Sequence, residues 1–201
     1  MAATLLVLAG GESRRMGRPK ALLPAGDGTL LEWVLDALSP QFEEVLVSAN
    51  HPDQVAPGMT PRIVGDLHPG AGPLAGIEAG LAACRHDVMV VVACDMPRVT
   101  APLVRLLVTA SRSNDAAMPR LDGVAEPACA AYRRSAARVI SASLDDGRLR
   151  AGGVLGALRV RYLDELELEA AGVDRGALRS LNSPEDYARF RAEHRPRGGA
   201  A

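Results

Sequence analysis

Residues 4–20 of the chain read TLLVLAGGESRRMGRPK, and the class of fold can be predicted from this segment. The short run Thr4–Leu8 is almost entirely apolar, which predicts a buried strand, because a strand covered on both faces lacks polar alternation. Gly10 and Gly11 follow at once and allow a sharp turn in which the backbone can approach a ligand closely. A buried strand that runs into a glycine-rich loop is typical of α/β proteins that bind ligands beyond the strand ends.

The rest of the chain continues the alternation of strands and helices. Buried apolar runs predict strands at Thr4–Leu8, Glu44–Ser48, Arg62–Val64, Val88–Ala93, Ala116–Pro119, Ala128–Tyr132 and Arg159–Tyr162. Helical spacing predicts helices at Leu30–Leu38, Leu74–Cys84, Ala101–Ser111, Ser135–Leu144 and Pro184–Glu193, the last with Ser183 as its N-cap. This order predicts an α/β sandwich with a mainly parallel sheet. We expect one domain over residues 1–194 and a disordered tail over 195–201.

Composition argues against a nucleic-acid-binding protein and against a membrane protein. The formal net charge of -1 creates no basic field, and 3% aromatic residues leave few rings on which bases could stack. No apolar run is long enough to span a bilayer, and the N-terminal segment lacks the basic residues of a signal peptide. The three cysteines show no metal-ligand spacing. We therefore expect a cytoplasmic protein with no nucleic-acid partner and no membrane association.

The loop after the first strand concentrates positive charge. Arg14, Arg15 and Lys20 lie within it, and Lys20 is the only lysine among the 23 Lys and Arg residues. Backbone N–H groups of a glycine-rich loop together with such cations suit a triphosphate. The spacing is not that of a Walker A loop, since Gly17 is followed by Arg, Pro and Lys. The alternative is a plain glycine turn with arginines that face solvent.

Polar side chains follow three further predicted strands. Asn50 comes after Glu44–Ser48, Asp66 after Arg62–Val64, and Asp95 after Val88–Ala93. Because ligands of open α/β sheets lie beyond the carboxyl ends of the strands, these residues are candidates for one site. A carboxylate at the end of a buried strand is costly unless it is paired or binds a metal, so Asp95 is a candidate Mg²⁺ ligand. It could equally cap the following turn.

Two further segments allow a functional and a structural interpretation. Residues 66–77 read DLHPGAGPLAGI, which could wrap a flat ligand or simply form a flexible connector. His68 lies in this segment and receives no role. Asn182, in the segment SLNSPEDY, could bind a ligand or cap the last helix.

The motifs LAGGESRRMGRPKALL, GPLAGI, CDMP, EPACAAY and LNSPEDY follow one another in an order that resembles the molybdenum cofactor guanylyltransferases, over about Thr4 to Phe190. The resemblance implies a three-layer α/β/α, Rossmann-like nucleotidyltransferase fold. It also implies transfer of GMP from GTP to molybdenum-loaded molybdopterin, release of pyrophosphate, and Mg²⁺ as cofactor. For such an enzyme we expect molybdoenzyme apoproteins or their chaperones as protein partners.

The resemblance also implies roles for individual residues. Catalysis would rest on Lys20, Arg15 and Asp95, with the metal on Asp95. Asn182 would lie near the pterin. The nucleotide would be bound by Leu8, Ala9, Gly10, Gly11, Lys20, Asn50, Asp66 and Asp95.

The choice of base rests on two short motifs. The guanylyl enzymes resemble this chain in LAGG and PLAG, whereas cytidylyl relatives carry LAAG and lack PLAG. The alternatives that stay open are a cytidylyltransferase for the same cofactor and a sugar-1-phosphate-type nucleotidyltransferase. A nucleotide-binding module without turnover is a third, but binding alone does not require both Lys20 and Asp95.

Overall fold

The computed structural model describes residues 1–10, 19–56, 58–148 and 151–194. Its strands are β1 Thr4–Leu8, β2 Pro24–Ala25, β3 Gly28–Thr29, β4 Glu44–Ser48, β5 Arg62–Val64, β6 Val88–Ala93, β7 Ala116–Leu121, β8 Val124–Ala125, β9 Cys129–Arg133 and β10 Val160–Leu163. Its helices are α1 Leu30–Leu38, α2 Pro73–Ala83, α3 Ala101–Ala110, α4 Ala136–Asp145, α5 Ala151–Leu155, α6 Glu165–Ala170 and α7 Pro184–Glu193.

The main sheet has eight strands in the order β10-β7-β9-β6-β1-β4-β5, with β8 paired to β7. β1 pairs in parallel with β4 and β6, β4 with β5, and β7 with β10. Among the described strands of this sheet, β9 runs antiparallel to β6 and to β7, and the two-residue β8 runs antiparallel to β7. The sheet is therefore mainly parallel, and the carboxyl ends of β1, β4, β5 and β6 meet at one edge.

Helices cover both faces of the sheet. On one face, alternate residues of β1 pack with α1 and α3 in a core that includes Leu5, Val34 and Leu103. On the other face, the remaining residues of β1 pack with α2 and α4 in a core that includes Leu6 and Ile77. Because helices cover both faces of β1, every residue of Thr4–Leu8 is buried, and the one polar side chain, Thr4, donates its hydrogen bond to Glu44. The arrangement confirms the predicted three-layer α/β/α sandwich.

Two glycines let α2 lie unusually close to the sheet. A Cβ atom at Gly76 would lie 2.6 Å from Ser48 Oγ, and one at Gly80 would lie 2.5 Å from Leu6 Cδ2. Neither distance is compatible with a side chain unless the sheet or the helix shifts. Gly76 therefore serves helix packing, and the segment PLAG, in which Leu74 and Ala75 are buried, contributes to the core rather than to an exposed loop.

The last helix, α7, attaches to the edge of the sandwich beside α1. Phe190 is fully buried there and contacts the Trp33 ring edge to face, with 5.5 Å between the ring centroids. Ser183 caps the helix as predicted: its side chain accepts a hydrogen bond from Asp186 N, while the Asp186 carboxylate accepts from Ser183 N. The Leu181 N–H donates to Asp95 O at 2.8 Å, so the segment before α7 is tied to the loop after β6.

Most of the predicted elements are confirmed within one or two residues at each end. The structure adds the small hairpin of β2 and β3, the pair β7–β8, and the helices α5 and α6. The acidic segment Glu165–Glu169 forms most of α6, in which Leu168 is buried. None of the helices in the described part of the chain combines the length and hydropathy that a membrane span requires. The predicted tail, residues 195–201, lies outside the described residues.

Candidate active site

Backbone hydrogen bonds beyond the strand ends join three loops at one edge of the sheet. The Cys94 N–H donates to Leu8 O at 3.0 Å, which extends the pairing of β1 and β6 by one step. Ala9 N and Gly10 N both donate to Ser48 O, at 2.9 and 3.1 Å, which holds the start of the first loop against the end of β4. The chain segments after β1, β4 and β6 therefore lie side by side, as the alternation of strands and helices predicts.

A lysine, a carboxylate and an amide from distant parts of the chain meet at this edge. Lys20 Nζ lies 2.7 Å from Asp95 Oδ2 and 3.1 Å from Asn182 Oδ1. The side chains of Lys20 and Asp95 are each 20% exposed, so the ion pair is partly shielded and still open to a ligand. These are the lone lysine of the chain, the carboxylate after β6, and the amide before α7.

Local structure places each of these three side chains. Lys20 begins a 3₁₀ turn, Lys20–Leu22, that is anchored by the fully buried Ala21 and closed by the Leu23 N–H bond to Lys20 O. Asp95 follows directly after the buried strand β6. Its carbonyl accepts from Leu181 N, which brings the next residue, Asn182, to the same edge.

A second polar pair lies after the neighbouring strands β4 and β5. Asn50 Nδ2 donates to Asp66 Oδ2 at 2.6 Å, and Asp66 N donates to Asn50 Oδ1 at 2.8 Å. The Asn50 backbone N–H is bound in turn by Gln54 Oε1 at 2.7 Å. Gly10 lies beside this pair, since a Cβ there would be 4.0 Å from Asn50 Nδ2. Amide and carboxylate groups held in this way can read the donors and acceptors of a base or ribose.

Asp95 fits a magnesium ion bound jointly with a substrate. Mg²⁺ prefers hard oxygen ligands and is typically held by one or two carboxylates plus phosphates and waters. Within the described residues, no group of three or more His, Cys, Asp or Glu side chains could form a metal cage. A single strand-end carboxylate beside a lysine matches a metal that arrives with a nucleotide better than it matches a permanent site.

A further carboxylate near Asp95 is Glu126, which was not among the site residues proposed from the sequence. It lies on the connection between β8 and β9, and the Ala93 N–H bond to Ala128 O, 2.9 Å long, ties that connection to the end of β6. Partial burial raises the pKa of the Glu126 carboxyl, the Ala128 N–H opposes this, and the negative charge of Asp95 raises it further. The only sequence signal was its place in the segment EPACAAY.

A groove of about 750 Å³ lies elsewhere, between α1 and the amino ends of β4 and β5. Its walls include Glu32, Asp36, Glu43 and Glu44. The walls also include Arg62 and Arg85, which both pair with Glu44, but the carboxylates outnumber these cations and would repel a triphosphate. The edge with Lys20 is the better candidate for an anionic substrate.

Eight of the ten residues proposed from sequence lie at the carboxyl edge: Leu8, Ala9, Gly10, Lys20, Asn50, Asp66, Asp95 and Asn182. The other two, Gly11 and Arg15, lie outside the described residues. The geometry thus brings the proposed groups together, and their roles toward a ligand stay predictions. His68, which received no role, forms two close polar contacts in the loop that follows Asp66.

Comparisons with known proteins give a consistent picture. The family model of the MobA-like NTP transferase domain matches residues 5–160. A probable molybdenum cofactor guanylyltransferase from Pelotomaculum thermopropionicum is 35% identical over 190 residues, which cover 94% of this chain and 92% of that protein. A molybdenum cofactor guanylyltransferase from Cereibacter sphaeroides is 37% identical over 191 residues, with 92% and 93% of the two chains covered.

A solved structure supports the same relationship. The crystal structure of molybdopterin-guanine dinucleotide biosynthesis protein A from Archaeoglobus fulgidus matches with a TM-score of 0.83 at 28% identity. The match covers 94% of this chain and 97% of that one. The family resemblance inferred from the sequence motifs is thereby confirmed.

Proposed function

The chain belongs to the MobA-like NTP transferase family, and from that premise we propose that it is a molybdenum cofactor guanylyltransferase. It would transfer GMP from GTP to molybdopterin-bound molybdenum and release pyrophosphate, giving the guanine dinucleotide form of the cofactor. We place the activity in the cytoplasm and assign it to one domain over residues 1–194. Delivery of the product to molybdoenzyme apoproteins or their chaperones is part of the same proposal.

The observation that supports this proposal best is the meeting of Lys20 and Asp95 at 2.7 Å beyond the carboxyl ends of the parallel strands. Transfer of a nucleotidyl group is favoured by a cationic side chain beside the phosphates and by an oxygen ligand for a metal ion next to that cation. The Asn50–Asp66 pair lies along the same edge and is suited to hold guanine or ribose. The order along the edge matches a nucleotide with its phosphates toward Lys20 and its nucleoside toward Asn50.

The proposed reaction is a direct in-line displacement. A phosphate oxygen of molybdopterin forms a bond to the α-phosphorus of GTP, the bond from that phosphorus to the bridging oxygen breaks, and pyrophosphate leaves with that oxygen. No protein nucleophile takes part. Lys20 and Arg15 would offset the charge that builds up on the phosphate oxygens, and the backbone of Leu8–Gly11 would orient the triphosphate.

Asp95 would hold the magnesium ion, whose contribution when bound is to neutralise phosphate charge and orient the triphosphate. Asn182 accepts a hydrogen bond from Lys20, so in this proposal it stands between the phosphates and the pterin side. A cytidylyltransferase would use the same machinery, so the nucleotide must be tested directly.

The test is calorimetric titration of GTP and CTP, each with Mg²⁺, together with pyrophosphate release in the presence of the molybdopterin acceptor. Wild type should bind GTP more tightly than CTP and release pyrophosphate with GTP. Asp95→Asn keeps an oxygen toward Lys20 but weakens the metal site, so binding should lose its Mg²⁺ dependence. Asp36→Asn, on the exposed face of α1, is the matched control and should behave as wild type.

Two outcomes would reject the assignment in different ways. Tighter binding of CTP would leave the nucleotidyltransferase proposal in place and replace GMP by CMP. Binding of GTP with no pyrophosphate release, even with the acceptor present, would favour a binding module without turnover.

A further inference from the structure

His68 is held between two carboxylates that belong to different helices. It lies in the segment of residues 65–72 that joins β5 to α2, called here the glycine loop. His68 Nδ1 lies 2.7 Å from Glu78 Oε2 of α2, and His68 Nε2 lies 3.0 Å from Asp145 Oδ1 at the end of α4. The ring thereby connects the loop to two helices on one face of the sheet.

With both carboxylates ionised, the geometry favours the protonated ring. An ionised carboxylate can only accept hydrogen bonds, and a neutral imidazole has a single N–H to donate. Both ring nitrogens face carboxylate oxygens, so both contacts are hydrogen bonds only when the ring is an imidazolium. The hydrogen bond to Glu78 raises the pKa of His68, partial burial opposes this, and the contact with Asp145 raises it again.

The two halves of the contact differ in burial. The Glu78 side chain is 5% exposed, whereas that of Asp145 is 66% exposed. A buried carboxylate that loses its partner is costly, so the half formed with Glu78 holds the loop firmly. The half formed with Asp145 is screened by solvent and contributes less.

The glycine loop begins at the nucleotide side of the candidate site. Asp66 precedes His68 by two residues and forms the two hydrogen bonds with Asn50. On the other side of His68, the Ala71 N–H donates to His68 O at 3.2 Å, and Gly70 and Gly72 have positive φ angles of 87° and 64°. Because glycines give a chain conformational freedom, an anchor in this segment restricts where Asp66 can lie.

We propose that His68 is a positioning residue, which clamps the glycine loop to α2 and α4 so that Asp66 and Asn50 are preorganised for the guanine nucleotide. The inference rests on the proposed function, since it assigns the base and ribose to this pair. An ordered loop loses less conformational entropy on binding, which raises affinity without a direct contact between His68 and the nucleotide. The clamp therefore acts on the Kd and KM for GTP and leaves kcat nearly unchanged.

The clamp is expected to weaken with rising pH. Among the described residues, the charged groups that face the ring are Glu78 from α2 and Asp145 from α4, while the neighbouring Asp146 pairs with Arg148. A raised pKa in the folded protein means that the contribution is fully present below the ordinary value of 6.5 and is lost as pH rises through the folded value.

The experiment measures the Kd of GTP with Mg²⁺ for wild type, His68→Gln and Asp145→Asn over a pH series from about 6 to about 9, which brackets an imidazole titration. The ratio of variant to wild-type Kd at each pH cancels the titration of the nucleotide itself. His68→Gln should raise the Kd about tenfold at the acidic end, with a ratio that falls toward one at the alkaline end. Asp145→Asn should give a smaller rise with the same trend. His86→Gln, before the amino end of β6, is the matched control and should match wild type throughout.

The outcomes separate the two proposals. Wild type that binds no GTP at any pH would overturn the proposed function. Wild type that binds GTP, with a ratio for His68→Gln near one at every pH, would overturn the clamp and leave the proposed function standing. A purely structural His68 would lower the melting temperature with a pH-independent ratio, which also contradicts the clamp. If His68→Gln does not fold, the exposed and conservative Asp145→Asn decides, and an unchanged Kd for it then overturns the clamp.

Discussion

The two edges of the same three strands hold carboxylates in contrasting ways. At the amino edge of β1, β4 and β6, Glu44 is 6% exposed and accepts hydrogen bonds from Thr4 Oγ1, Arg85 N and Arg85 Nε, at 2.7, 2.8 and 2.9 Å. At the carboxyl edge, Asp95 is 20% exposed and shares one oxygen with Lys20 at 2.7 Å. One carboxylate is buried and saturated with donors, and the other remains accessible.

The burial of an ion pair and the number of its hydrogen-bond donors indicate whether the pair stabilises the fold or can bind a ligand. A buried carboxylate with three donors from its neighbours ties together the starts of the strands, and its removal would leave the fully buried Thr4 hydroxyl without its acceptor. A partly exposed pair at the strand ends can exchange its partners for a phosphate or a metal ion at little cost to the fold. Changes at Glu44 should therefore affect stability, and changes at Lys20 should affect turnover.

The largest effect is expected for Lys20→Ala. Loss of one preorganised cation at the phosphates should reduce the rate of pyrophosphate release by about 10² to 10³. The melting temperature should change little, because the side chain is partly exposed and its removal frees Asp95 to solvent. Lys20→Arg keeps the positive charge but replaces the compact ammonium by a planar guanidinium. This variant should therefore retain only part of the wild-type rate. Full turnover by Lys20→Ala would show that the comparison of the two edges is wrong.

The converse effect is expected for Glu44→Ala. The Arg85 side chain is 75% exposed and would be solvated after the change, so the cost lies mainly in the lost hydrogen bonds from Thr4 Oγ1 and Arg85 N, and the free energy of unfolding should fall by about 2 kcal/mol. The variant should still bind GTP with the wild-type Kd wherever it remains folded, since Glu44 lies at the opposite end of β4. Urea unfolding and GTP titration on the same sample provide the measurement. A stable variant with weakened GTP binding would reverse the roles assigned to the two edges.

Much of this arrangement could be predicted from the sequence, because apolar runs indicate buried strands. Two buried strands could be predicted from the apolar runs Thr4–Leu8 and Val88–Ala93. The rule that ligands lie beyond strand ends then predicted that Asp95 and Asn50 lie at one edge of the sheet. Lys20 was found because it is the lone lysine in a glycine-rich loop.

Other features depend on contacts between distant segments and were not predictable. The clamp at His68 includes Asp145, 77 positions along the chain, and no local pattern connects the two. The role of Gly76 in packing depends on the distance between α2 and Ser48, which only the folded chain reveals. The short hairpin of β2 and β3 has two residues in each strand, too few for any periodicity.

A smaller effect is expected for Asn182→Ala, which tests whether the open edge needs a third member. Asn182 Oδ1 accepts from Lys20 Nζ at 3.1 Å, so its loss should let the ammonium move away from the phosphates. We expect kcat/KM to fall about tenfold, in keeping with the net contribution of one hydrogen bond to a charged group. The variant Asn182→Asp should also have a lower kcat/KM than wild type, because it adds negative charge beside the phosphates. An unchanged kcat with a raised KM for the pterin acceptor alone would place Asn182 at the pterin instead.

The smallest expected effect is the change in the stability difference between wild type and Glu44→Gln as the pH is lowered. Burial raises the pKa of Glu44, but the hydrogen bonds from Arg85 and Thr4 outweigh it, and the pKa lies below its ordinary 4.5. A lowered pKa means that the stabilisation is present above 4.5 and is lost as the pH falls through the folded value. Glu44→Gln should thus be less stable than wild type near neutral pH, by about 1 kcal/mol on the scale of one hydrogen bond, and the difference should shrink below 4.5. Urea midpoints of the two proteins across that range measure it. A difference that persists undiminished in acid would mean that Glu44 stabilises the amino edge by its shape and hydrogen bonds and not by its charge. The two edges would then differ in a further way, because the charges of Lys20 and Asp95 are central to the role proposed for the carboxyl edge.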